Sequence, residues 1–93
     1  LVVTLDTTRA DRMGAYGGPD AAATPVFDRL AGEGVLFEQA MSAAPLTLPA
    51  HASMFTGGFP PEHGVRDNGG FFLAPEATTL AERLAARGYR TGA

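Results

Sequence analysis

This sequence of 93 residues predicts an α/β fold, a mainly parallel sheet with flanking helices. Three observations carry that prediction. Short apolar runs rich in β-branched residues open at "LVVTLD", recur at "VLFEQAMS" and begin again at Tyr89. The segments between them show apolar residues at helical spacing, introduced by helix-start signals. The resulting order, strand–helix–strand–helix–helix–strand, is the alternation that lays helices on the faces of a parallel sheet.

Taken in order, residues 1–6 fit a short buried strand, with Val2, Val3 and Thr4 ending at Asp6. The connection "TTRADRMGAYGGPDAAA" is rich in turn residues. Thr24 then caps a helix that starts on Pro25, where the missing N–H is not needed, and Gly32 or Gly34 ends it. Val26, Phe27, Leu30 and Ala31 supply its apolar positions. Residues 35–42 are the second strand. Pro49 opens a short helix over about residues 49–56, with Thr47 in the turn just ahead of it. A loop of about twenty residues, "GFPPEHGVRDNGGFFLAPEAT", follows, and loops of that length are often functional. Thr79 and Glu82 form a capping box for a helix with Leu80 and Leu84 on its apolar face and Gly88 as its stop. The opening on "LVVTLD" and the close on "GYRTGA" read as cuts inside strands, so residues 1–93 are taken as one partial segment of a larger domain.

Composition narrows the partners. With 45% hydrophobic and 18% charged residues the chain has the make-up of a globular protein, and no apolar run is long enough to span a membrane. The net charge of −3 and the scatter of the seven Arg residues give no basic cluster for nucleic acid. The lack of cysteine excludes disulfides, thiolate metal sites and a cysteine nucleophile within these residues.

In an α/β sheet ligands sit at the carboxyl ends of strands. Asp6 ends the first predicted strand and Thr47 follows the second, so both can open onto one edge. Asp6 is either a rigid oxygen donor for a hard cation or a turn-capping residue. Thr47 is either a hydroxyl nucleophile at a helix start or a local cap. Ser42 and Ser53 are rival hydroxyls, with backbone contact the expectation for Ser53 inside its helix. His51 and His63 each read first as structural residues; Arg9 and Asp11 read as a solvated or loop-stabilising pair. Arg66, Asp67 and Asn68 either fix the long loop or reach a substrate.

Four blocks together decide more than any one residue. "LVVTLDTTRADRMGAYG", "TPVFDRLAGEGVLFEQAMS", "PLTLPAHASMFTGGFPPEHGVRDNG" and "TLAERLAARGYRTGA" resemble, in order and spacing, the N-terminal part of the sulfatase family, within the alkaline phosphatase-like superfamily. The resemblance implies a large α/β catalytic domain of which this is the first part, inactive by itself. It further implies an active-site divalent cation (Ca, Mg, Mn or Zn) held by Asp6 and by ligands later in the chain. It places Thr47 at the nucleophile position beside the metal, with His51 as a hydrogen-bonding partner of the nucleophile or of a substrate oxygen. The substrates it implies are small-molecule, glycan or lipid esters, and the setting it suggests is extracytoplasmic.

Where formylglycine sulfatases carry C-x-P-S-R or S-x-P-S-R, this chain has "TLPAH". Threonine is no precursor of formylglycine, and the arginine position holds His51. The expectation is therefore a metal-dependent hydrolase that cleaves a sulfate or phosphate ester through a covalent intermediate on Thr47, with a phosphoryl substrate favoured. The alternatives are a catalytically degenerate domain kept for binding or assembly, and an unrelated α/β binding module.

Overall fold

The computed structural model describes residues 1–19 and 23–92, as two compact units, Leu1–Met41 and Ser42–Ala93. Residues 20–22 of the first long connection, and Ala93 in the last strand candidate, lie outside the described residues. Every regular element among the described residues is helical. The predicted strands at 1–6, at 35–42 and from Tyr89 are not formed among them. The physical reason is visible in their exposure. Residues 1–5 form no strand ladder among the described residues and stand open to solvent, with Val2 58% and Val3 64% exposed. Val35, Phe37 and Met41 are likewise exposed. A strand exists only through its ladder, and an apolar run without a partner strand stays extended but unpaired.

In the first unit the chain turns at Asp6 and Thr7, closed by the Thr8 amide donating to the Leu5 carbonyl at 3.4 Å. Thr7 has φ 53°, a left-handed conformation that a β-branched residue rarely takes. Two 3-10 turns follow, Ala10–Arg12 and Gly14–Tyr16. Gly18 closes the second, its amide reaching the Met13 carbonyl at 3.0 Å. A Cβ there would lie 2.8 Å from the Met13 oxygen, so only glycine permits that approach.

Helix α1 runs Pro25–Glu33, starting on the predicted proline and ending against Gly34. Thr24 precedes it as expected, yet its hydroxyl does not cap the helix. Thr24 Oγ1 accepts from the Gly14 amide at 2.9 Å and donates to Asp28 Oδ1 at 3.0 Å. Asp28 Oδ1 in turn accepts from the Ala15 amide at 2.8 Å. These two side chains pin the Gly14–Tyr16 turn to the start of α1, and Tyr16 donates to the Phe37 carbonyl at 3.1 Å. Of the predicted apolar positions, Phe27 and Ala31 are half-buried while Val26 and Leu30 remain exposed.

In the second unit α2 spans Thr47–Thr56, two residues earlier than the prolines predict. Pro49 is its third residue rather than its first. Its lack of an N–H costs nothing there, because the first three amides of a helix have no intrahelical acceptor. The Ala50 amide makes the first bond, to the Leu46 carbonyl at 3.0 Å. Inside the predicted twenty-residue loop lies a further single-turn helix, α3, over Pro60–His63. Its signals are a Pro pair at the start and Glu62, whose Oε2 accepts from the Phe59 amide at 2.6 Å. Gly64 ends it in the left-handed region, φ 79°.

Helix α4 covers Leu80–Ala85, and its predicted capping box is complete. Thr79 Oγ1 accepts from the Glu82 amide at 3.3 Å and Glu82 Oε2 accepts from the Thr79 amide at 2.7 Å. The Tyr89 amide then folds back to the Leu84 carbonyl at 3.1 Å, past Gly88 in its left-handed turn. The buried centre of this unit is small: Val65, Pro49, Ser53 and His63.

Candidate functional site

The start of α2 gathers most of the predicted chemistry. Thr47 is exposed and is the first residue of the helix, not part of the preceding turn. Its backbone already has helical geometry, so the helix itself fixes the Cα–Cβ direction. The next amide, Leu48, is one of the donors that a helix start leaves without an intrahelical partner. It donates to Asn68 Oδ1 at 2.9 Å. Asn68 thus caps α2 from twenty residues away, while its own amide donates to Asp67 Oδ1 at 2.7 Å. These bonds give Asp67 and Asn68 a part in fixing the loop.

His51 lies one turn after Thr47. Its Nδ1 is 2.8 Å from the Thr47 carbonyl. A carbonyl only accepts, so Nδ1 is the donor, and the neutral tautomer has Nε2 as its acceptor nitrogen. The ring meets Phe55 one further turn on, with centroids 6.3 Å apart and planes tilted by 34°. Thr47, His51 and Phe55 therefore form a row along one face of α2.

The rival hydroxyls are occupied differently. Ser42 closes a local turn, donating to the Ala44 carbonyl at 2.7 Å. Ser53 is buried, and its Oγ lies 2.9 Å from His63 Nε2, which overturns the expected local backbone role. His63 is only 3% exposed, and its Nδ1 accepts from the Val65 amide at 3.2 Å. That bond fixes the tautomer: Nδ1 carries the lone pair and Nε2–H donates to Ser53. His63 is thus buried and bonded at both ring nitrogens. No sequence pattern pairs it with Ser53, because the contact depends on how α3 folds back on α2.

Asp6 belongs to the first unit and sits at the exposed turn after the opening residues. The Thr8 hydroxyl reaches its backbone carbonyl at 3.4 Å. A carboxylate at such a turn is the right donor type for a hard divalent cation. Among the described residues no group of three or more His, Asp or Glu side chains could complete a metal site. Arg9 and Asp11 form the expected solvated pair, bidentate at 2.9 and 2.6 Å. The hydrogen bond from Arg9, more than its charge, holds the Asp11 carboxyl below its ordinary range, and Arg9 is raised in return.

Comparison with known proteins gives these observations a setting. The sequence model of the Sulfatase family matches residues 1–93. Steryl-sulfatase of Mus musculus is 37% identical over 101 residues, covering 98% of this chain and 16% of its own length. Arylsulfatase A of Homo sapiens is 38% identical over 99 residues, covering 99% of the chain and 19% of its own. N-acetylglucosamine-6-O-sulfatase of Bacteroides thetaiotaomicron is 36% identical over 91 residues, covering 98% and 16%. No solved structure matches the chain. The chain spans 16–19% of the length of these relatives.

Proposed function

The chain belongs to the sulfatase family, and we propose that within the whole protein it supplies the nucleophile, Thr47, of an ester hydrolase. The single observation that carries the reading is the construction of the α2 start. An exposed hydroxyl residue opens the helix, an imidazole is bonded to its carbonyl, and a capped amide adjoins it.

The proposed step is direct displacement. Thr47 Oγ1 attacks the central phosphorus or sulfur, the bond to the leaving alcohol oxygen breaks, and the alcohol departs with a proton. Water then attacks the same atom, the bond to Thr47 Oγ1 breaks, and the inorganic product leaves. A threonine hydroxyl is nearly inert at neutral pH, and the helix dipole contributes only about 0.3–1 kcal/mol toward its alkoxide. A divalent cation, for which Asp6 is the right donor type, would supply the larger effect, since a bound metal strongly lowers the pKa of an oxygen it ligates. His51, one turn along the same helix face, is the imidazole placed to hydrogen-bond the nucleophile or a substrate oxygen. In the same reading the segments 1–6, 35–42 and that from Tyr89 are strands of a parallel sheet whose partners come from the rest of the protein.

The relatives are named for sulfate esters, and a sulfate or phosphate ester is the proposed substrate class. Threonine shifts the balance toward phosphoryl. A formylglycine hydrate expels sulfate by collapsing to the aldehyde, whereas a threonine ester is cleared only by attack at the central atom. The test is a paired assay of nitrophenyl phosphate, phosphonate and sulfate esters with the full-length protein and each divalent metal. We expect faster turnover of a phosphoryl ester and a loss of about 10⁴-fold in Thr47→Ala. Clear preference for sulfate would contradict the phosphoryl reading. Absence of any turnover would favour the degenerate, non-catalytic domain.

A further inference from the structure

We infer that Ser53 and His63 are positioning residues: their buried latch holds the loop after α3 so that Asn68 caps the helix start bearing Thr47. The bearing of this latch on catalysis rests on the reading of Thr47 as nucleophile, but the latch itself rests on geometry alone.

The chain of contacts is continuous within the second unit. Ser53 Oγ, one and a half turns into α2, accepts from His63 Nε2 at the last residue of α3. The opposite ring nitrogen accepts from the Val65 amide, so one imidazole ties α2 to α3 and also sets the backbone just past Gly64. Val65 is 1% exposed and His63 3%, so the bonds of the ring are out of water. Three residues further on, Asn68 meets the Leu48 amide. Each buried side-chain polar atom of the latch has a hydrogen-bond partner. A buried hydrogen-bonded network of this kind specifies one arrangement, because each member left unmatched costs its full desolvation. The exposed Asn68–Leu48 bond has no such protection of its own. It depends on where the loop is delivered.

Amide hydrogen exchange in the full-length protein reads this dependence without requiring activity. The Ala86 amide of α4, bonded to the Glu82 carbonyl at 2.9 Å, serves as the internal reference. Ser53→Ala removes one oxygen and adds no bulk. It is expected to speed exchange at both Leu48 and Val65 by about tenfold relative to Ala86. Asn68→Ala is expected to speed Leu48 alone. His63→Gln, whose amide nitrogen still reaches Ser53 but offers Val65 no acceptor in the ring's place, is expected to speed both. It decides the matter should Ser53→Ala fail to fold. In the paired ester assay Ser53→Ala is expected to lower kcat with KM little changed, and Ser53→Thr to recover part of the loss. Unchanged Leu48 exchange in folded Ser53→Ala, or an equal change at Ala86, would overturn the latch. A full exchange effect in a protein with no ester turnover would uphold the latch while refuting the proposed function.

Discussion

Asp6 and Thr7 show what a single residue contributes and where reading it from sequence stops. The carboxylate after an apolar run was legible as a candidate ligand or turn residue, and it does sit at a turn. What was not legible is the left-handed Thr7 beside it, φ 53°, a conformation that costs on the order of 1–3 kcal/mol in a β-branched residue. Such strain persists only where the surroundings impose it. If Asp6 is a metal ligand, Asp6→Ala in the full-length protein abolishes divalent-cation binding, measured by calorimetric titration, and leaves the fold intact. A purely turn-forming aspartate would instead cost about 1 kcal/mol of stability and leave affinity unchanged. At the other candidate, the hydroxyl of Thr47 was found from its place before Pro49, but its position as first residue of α2 was not. Proline suits any of the first helical residues, so it marks a helix start without numbering it.

Helices were read best where the signal is local. The Thr79–Glu82 box spans four residues and forms as the spacing requires, and Pro25 opens α1 as expected. The capping by Asn68, the Thr24–Asp28 clamp on the Gly14–Tyr16 turn, and the Ser53–His63 latch span ten or more residues. They depend on packing that no local pattern encodes. The local box carries its own prediction. Glu82 is held below its ordinary pKa of 4.5, chiefly by the Thr79 backbone amide and next by its hydroxyl. A depressed carboxylate contributes stability above the unfolded value and loses it as pH falls through the folded one. The Arg83 amide, bonded to the Thr79 carbonyl, should therefore be well protected at neutral pH and lose protection below pH 4.5. Thr79→Ala should cost α4 about 1 kcal/mol at neutral pH and flatten that acid dependence. An unchanged acid profile in the variant would place the stability of α4 in packing instead.

Across the whole molecule the apolar residues outrun the core available to them. Val65 is the buried apolar side chain at the centre of the second unit, whereas Leu1, Val35, Phe37, Met41 and Phe72 are largely exposed. The three strands expected from β-branched runs are not formed among the described residues. No sheet is formed among the described residues, because pairing is a property of neighbours, not of a segment. Expressed as these 93 residues, the chain should therefore bind a hydrophobic dye and melt without a sharp transition; a cooperative two-state melt of soluble monomer would contradict that account. Within the full-length protein the central claim is covalent: Thr47 carries the transferred group. Mass spectrometry of the protein quenched during turnover of a phosphoryl ester tests this most directly. The account predicts a phosphorylated peptide with the modification on Thr47, absent from Thr47→Ala. Modification at Ser42, Ser53 or another residue, or full turnover by Thr47→Ala, would contradict it.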